Sequence, residues 1–175
     1  AIHFPRNDAI SGTRSQFIVS GSYNAPSTGV YNIKIDKNVI MNTGAGAINL
    51  YTRNLTTFKN NIDITNNYIT RINSIAPGTY TIRAGGYDVN ISNNLIHSTN
   101  AGGMSSKLSE STILNNEVYD VCRQLADCGG IYQGMQYAYM NTEIAYNLVY
   151  NIRGRFDMKY VEGYSGIYQD DCASG

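Results

Sequence analysis

Charge is scarce in this chain. Of 175 residues only 15% are charged, 13 Lys and Arg balance 13 Asp and Glu, and the formal net charge is zero. The basic residues are scattered, so the basic stripe that a nucleic-acid binder needs is missing. No apolar run approaches the 18 or so residues of a membrane-spanning helix. The opening stretch, AIHFPRNDAI, has no basic head and apolar centre of a signal peptide. There is no Trp, and the two histidines, His3 and His97, stand far apart with no Cys-x-x-Cys nearby, which argues against a metal centre. The three cysteines form no closed disulfide framework, because the count is odd. Cys122 and Cys128, six residues apart, suit a small closed loop and two buried thiols equally well.

What fills the surface instead is Asn, Ser, Thr, Gly and 15 Tyr. Such a surface suits contact with sugars or other neutral polar ligands. It equally suits a plain extracellular β-protein.

An internal repeat organises the chain. Take an asparagine as zero and read offsets −5, −3 and +2. Asn38 then has Ile33, Ile35 and Ile40; Asn67 has Ile62, Ile64 and Ile69; Asn94 has Val89, Ile91 and Ile96. Asn116 has Ser111, Ile113 and Val118, and Asn147 has Thr142, Ile144 and Val149. The −3 position is always Ile and +2 is always Ile or Val, while the asparagines are 29, 27, 22 and 31 residues apart. A constant motif at variable spacing excludes leucine-rich and helical repeats, whose periods are tighter. β-Branched residues at every second position predict short strands with one buried face. Frequent Gly and the lack of a 3.6-residue stripe argue against helix. Strands stacked one rung per repeat make an all-β, parallel solenoid. The zero-position asparagines are expected to take the left-handed backbone of a turn and to hydrogen-bond amide to amide between rungs.

A further strand follows in each repeat: Gly46–Tyr51, Thr79–Arg83, a weaker Gly103-Met104, and the nearly identical Gly130–Gln133 and Gly166–Gln169. A vaguer first coil is expected in Gln16–Val30. The longest insertion is Arg153–Ser165. The end, Asp170-Asp171-Cys172-Ala173-Ser174-Gly175, stops inside a motif, and the chain reads as a fragment of something longer.

With Ile-x-x-Asn-x-Ile recurring once per coil from about Val30 onward, the chain resembles the right-handed, single-stranded parallel β-helix proteins of carbohydrate metabolism, the pectate-lyase-like group. The resemblance implies about six coils. Asp127–Tyr132 (Asp-x-Gly-Gly-Ile-Tyr) followed by Gly166–Asp171 (Gly-Ile-Tyr-x-Asp-Asp) looks like bacterial β-helix glycoside hydrolases of the fucosidase/xylanase type. Those sequences commonly carry Gly where this chain has Cys128 and Cys172. The resemblance implies a secreted or cell-surface protein hydrolysing a polysaccharide or oligosaccharide, with catalytic carboxylates in these segments.

Asp127 and Asp170 are therefore the catalytic candidates, one as acid/base and the other as nucleophile. If Ile131 and Ile167 face the core, Tyr132, Tyr168 and Asp170 face outward together, and two stacked tyrosines form a sugar platform. Asp127 and Asp170 stand at unlike positions, seven residues apart along the strand, roughly 23 Å if fully extended. They act together only if the Arg123–Gly129 loop folds back or the coil bends. Glu162 is an alternative partner for Asp127, Asp157 a third candidate, and Asp171 is expected in the turn as a substrate contact. No cofactor is expected, although Asp170 and Asp171 together would suit Ca²⁺. Plain structural readings stand beside these. Asp in a Gly-rich turn accepts backbone N–H groups, Tyr132 and Tyr168 form a cross-rung pair, Glu117 and Glu143 are solvated, and His97 makes a surface or groove contact.

The basic residues near the Gly-Ile-Tyr strands, Arg123, Arg153, Arg155 and Lys159, all fall in loops. A neutral substrate is therefore expected, with a polysaccharide lyase as the enzymatic rival. The non-enzymatic alternative is a glycan-binding or structural stalk, as in a tailspike, adhesin or surface fibre, with self-association.

Overall fold

The structure is a computed structural model that describes residues 31–51, 59–76, 78, 80–125, 127–134, 141–154 and 164–170, with backbone alone at 9–11, 18–20 and 51. Every element in it is a strand. The earliest are β1 (Ala9–Ser11) and β2 (Ile18–Ser20). Next come β3 (Ile33–Asp36), β4 (Val39–Met41) and β5 (Ile48–Tyr51), then β6 (Ile62–Thr65), β7 (Tyr68–Thr70) and β8 (Ile82–Tyr87). They are followed by β9 (Val89–Ser92), β10 (Leu95–His97) and β11 (Met104–Ser109), and by β12 (Thr112–Leu114), β13 (Glu117–Val121) and β14 (Cys128–Gly134). The last are β15 (Glu143–Ala145), β16 (Leu148–Ile152) and β17 (Tyr164–Asp170). The first described strand begins at Ala9, ahead of the Gln16–Val30 window expected for the opening coil.

The strands sort into three sheets by repeat position. The first runs β1-β4-β7-β10-β13-β16, the second β2-β5-β8-β11-β14-β17, and the third β3-β6-β9-β12-β15. All pairings are parallel, and each strand pairs with its equivalent one repeat away. This is the pattern of a β-solenoid. The five motif isoleucines Ile35, Ile64, Ile91, Ile113 and Ile144 stand in register in the third sheet. Ile40, Ile69, Ile96, Val118 and Val149 do so in the first. Ile48, Ile82, Met104, Ile131 and Ile167 line the inner side of the second. Three apolar columns thus meet in one core, where stacking removes each face from water. Ile131 is wholly buried, whereas Ile167 is 49% exposed, since among the described residues no further rung covers it.

The amide ladder forms as expected. Asn38 Nδ2 donates to Asn67 Oδ1 (3.0 Å), Asn67 to Asn94 (2.9 Å), Asn94 to Asn116 (3.0 Å) and Asn116 to Asn147 (2.9 Å). The same oxygens accept the backbone N–H of the preceding ladder residue. The second amide hydrogen reaches back to the carbonyl of Ile35, Ile64, Ile91 or Ile113. A polar side chain can be buried here because every group on it is paired.

The left-handed turn residue, however, is not the ladder asparagine. It recurs at offsets −6, −1 and +4 from it, with φ between 48° and 63° at all fifteen positions. The −1 set, for example, is Lys37, Asn66, Asn93, Asn115 and Tyr146. Asn fills eight of the fifteen, because its short polar side chain tolerates this backbone better than most. The ladder asparagine points inward beside the corner; its neighbour makes the bend.

Candidate functional site

The second sheet carries the site, and alternation explains why. With Ile82, Met104 and Ile131 turned into the core, Arg83, Ser105 and Tyr132 turn outward, in register with one another and with Tyr168. Two residues further along comes a second outward column, in which Gly85 pairs with Lys107 and Gly134 with Asp170. Tyr80, Arg83, Ser105, Lys107, Leu125, Asp127 and Tyr132 line an open groove of about 370 Å³ on this face, together with Gly78.

Tyr132 is the hub. Its hydroxyl donates to Asp170 Oδ2 at 2.8 Å, and its ring meets Tyr80 at a centroid distance of 5.3 Å, tilted by 39°. Tyr168 meets it edge-on, at 5.4 Å and 87°. The two tyrosines are in register as expected, but they do not stack into a flat platform. Tyr132 instead lies along its own strand over Gly134, where a Cβ would stand 2.6 Å from its hydroxyl oxygen. The glycine leaves the room that lets this phenol reach Asp170. Tyr80 has a similar seat over Gly102, where a side chain would overlap its ring. Burial pushes the Tyr80 phenol well above its usual range; Tyr132, Asp127 and Asp170 push the same way, and a backbone hydrogen bond with Gly129 opposes them.

Asp127 reaches the groove through a short loop. Cys122 and Cys128 form a disulfide, with Cα atoms 6.0 Å apart, and both residues are fully buried. The bridge closes the loop that carries Leu125 and Asp127 and pins it at the entrance to β14. Asp170, at the far end of β17, lies beside Gly134, seven residues from Asp127 in strand register, yet both carboxylates come near enough to Tyr80 to act on its phenol. Tyr132 spans part of that separation by lining the groove with Asp127 while hydrogen-bonding Asp170.

Glu162, Asp157, Asp171 and Cys172 lie outside the described residues, as do Arg155 and Lys159. Among the described residues no three His, Cys, Asp or Glu side chains gather as a metal-binding group. Arg123 and Arg153 both pair with Asp120, at 3.2 and 2.8 Å, at the end of the first sheet. The basic residues of the groove are Arg83 and Lys107, which come from earlier repeats. A signal for them was present: aligned on the core residue, Ile82-Arg83 and Met104-x-x-Lys107 place them where Tyr132 and Asp170 stand in later repeats.

His97 belongs elsewhere. It sits on the outer face of the first sheet, between Tyr68 (5.3 Å, edge-on) and Tyr119 (4.8 Å, stacked), and Tyr119 stacks in turn on Tyr150 (4.9 Å). Its Nε2 is 2.9 Å from the Tyr68 hydroxyl and its Nδ1 3.0 Å from Ser98 Oγ. Burial holds its pKa below the usual value, against the opposing pull of Asp120 and Glu117. Glu117 accepts a hydrogen bond from Tyr150 (2.9 Å), and Glu143 is exposed. In comparisons with known proteins, the chain matches no family model, no curated protein and no solved structure.

Proposed function

We propose that the chain is a right-handed parallel β-helix of about six coils that binds a polysaccharide along its second sheet and hydrolyses it with Asp127 and Asp170. One observation carries this reading: both carboxylates converge on one tyrosine cluster at an open groove, with Asp127 lining it and Asp170 held by Tyr132. Glycoside hydrolysis needs one carboxyl to protonate the leaving oxygen and a second to act as nucleophile or to activate water. Tyrosine faces and edges supply apolar contact to sugar C–H groups and hydroxyls for orientation. The buried Cys122–Cys128 disulfide supports an oxidising, secreted or cell-surface setting. The similarity of Asp127–Tyr132 and Gly166–Asp171 to fucosidase/xylanase-type β-helix hydrolases points the same way.

A second reading has its own observation. Lys107, Arg83 and the Tyr132 phenol share the groove, and these residue types serve as base and charge neutraliser when a lyase removes the proton next to a uronate.

Reducing-sugar release from a panel of polysaccharides, with Asp127→Asn and Asp170→Asn as controls, tests both. Hydrolysis abolished by either substitution supports the hydrolase. An unsaturated, ultraviolet-absorbing product supports the lyase. Glycan binding without turnover sinks both and leaves a binding or structural stalk.

A further inference from the structure

Two phenols lie between the two carboxylates in strand register. Counted from the core residue of each rung, Ile82, Ile131 or Ile167, Asp127 stands at −4, Tyr80 at −2, Tyr132 at +1 and Asp170 at +3. The order along the strand direction is carboxylate, phenol, phenol, carboxylate, with gaps of two, three and two residues. Tyr132 closes the last gap by donating to Asp170 Oδ2 at 2.8 Å. The two rings close the middle one, their centroids 5.3 Å apart. The first gap, from Tyr80 to Asp127, is as wide as the last.

Tyr80 is placed to cross it. It enters β8, two rungs from β14 and the loop that carries Asp127, roughly 10 Å away. The rung between them has Gly102 at the equivalent position, where a Cβ would stand 2.2 Å from Cε1 and 2.4 Å from Cδ1 of the ring. The ring therefore lies along the solenoid axis over this glycine and carries its hydroxyl toward β14. There the Gly129 backbone hydrogen bond favours the ionised phenol, which makes the N–H the donor and the phenol oxygen its acceptor. The phenol's own proton is left for another acceptor. Tyr132 is committed to Asp170, and of the two carboxylates Asp127 acts on Tyr80 more strongly. Burial keeps the phenol protonated, so it is a standing donor.

From this order we infer that Tyr80 is a positioning residue of the site: its hydroxyl donates to the Asp127 carboxylate, as Tyr132 does to Asp170, and fixes the direction in which that carboxylate faces the groove. The Cys122–Cys128 bridge holds the backbone beside Asp127 but leaves its side chain free to rotate. A charge-assisted bond from a phenol selects one rotamer, and a carboxylate already aimed needs no reorganisation when it reacts. The use of this aim in turnover rests on the hydrolase reading proposed above; the hydrogen bond itself does not.

Proton NMR of the tyrosine hydroxyls at neutral pH tests the contact without any substrate. The Tyr80 signal is identified by its absence in Tyr80→Phe, a change that keeps the ring on its seat over Gly102. A buried donor to a carboxylate exchanges slowly with water and resonates downfield. A protected signal is therefore expected, moved upfield in Asp127→Asn and retained in Asp170→Asn. A Tyr80 hydroxyl that exchanges as fast as an exposed phenol, or that ignores Asp127→Asn, overturns the inference. Kinetics on whichever polysaccharide is turned over form the second arm. Tyr80→Phe is expected to lower kcat by about tenfold at unchanged KM, the worth of one hydrogen bond to a charged group. A parent-like kcat beside an intact NMR response overturns the positioning role. No turnover by the parent, with the NMR response present, overturns the hydrolase reading alone and leaves the Tyr80–Asp127 pair standing.

Discussion

Asn94→Leu tests what holds the stack together. Asn94 is wholly buried, and its amide makes four hydrogen bonds. Oδ1 accepts from the Asn67 backbone N–H (3.0 Å) and from Asn67 Nδ2 (2.9 Å). Nδ2 donates to the Ile64 carbonyl (2.8 Å) and to Asn116 Oδ1 (3.0 Å). Leucine has the same number and branching of side-chain heavy atoms, so the change removes the bonds without opening a cavity. Four buried partners lose a bond, at about 1 kcal/mol each as a lower figure, or about 4 kcal/mol in all. The apolar side chain returns about 1.5 kcal/mol through its burial, leaving a net loss of about 2.5 kcal/mol. With a urea m-value of about 2 kcal/mol/M, the unfolding midpoint followed by circular dichroism drops by about 1 M. Asn147→Leu is the control. Its amide also makes four bonds, but the residue is only half-buried, so water replaces them and the loss stays under about 1 kcal/mol. An Asn94→Leu midpoint equal to that of the parent, or an Asn147→Leu loss as large, would refute the view that buried amide pairing locks the rungs.

Three further outcomes follow from the site and its supports. Tyr132→Phe keeps the ring over Gly134 but removes the bond to Asp170, so turnover falls by about tenfold or more with little change in glycan affinity, read as a kcat loss at constant KM; unchanged kcat makes the ring a contact surface only. Replacing Cys122 and Cys128 with Ser opens a loop of about seven residues and lowers stability by about 2 kcal/mol by the loop-entropy relation, and turnover falls with it because Asp127 sits on that loop. His97 has a folded pKa below its unfolded one, so the fold keeps this contribution above the unfolded value of about 6.5 and loses it as pH falls. Urea midpoints measured from pH 7 down to 5 should decline more steeply for the parent than for His97→Phe, and parallel slopes would remove His97 from the account.

The sequence by itself determined the stack. An Ile three residues before each ladder asparagine and an Ile or Val two after it specify which face is buried, because side chains alternate along a strand and a one-residue slip would expose the whole set. The ladder followed from the same pattern, since a buried asparagine repeated once per rung has its own copy as the nearest partner. Less was legible at the corners: the left-handed positions are recognised by backbone angle, and Lys37, Arg71 and Tyr146 occupy them as well as Asn. The disulfide, left open by spacing alone, was decided by how β13 and β14 place the two Cα atoms. The composition of the groove was decided only by the tertiary structure. Arg83 and Lys107 lie 44 and 20 residues before Asp127 in the chain, yet parallel stacking sets their rungs one after another below it. Tyr132 likewise turned along its strand to Asp170 rather than flat against Tyr168 because Gly134 left that path open. A local motif can specify one rung; which side chains share a surface depends on the register between rungs.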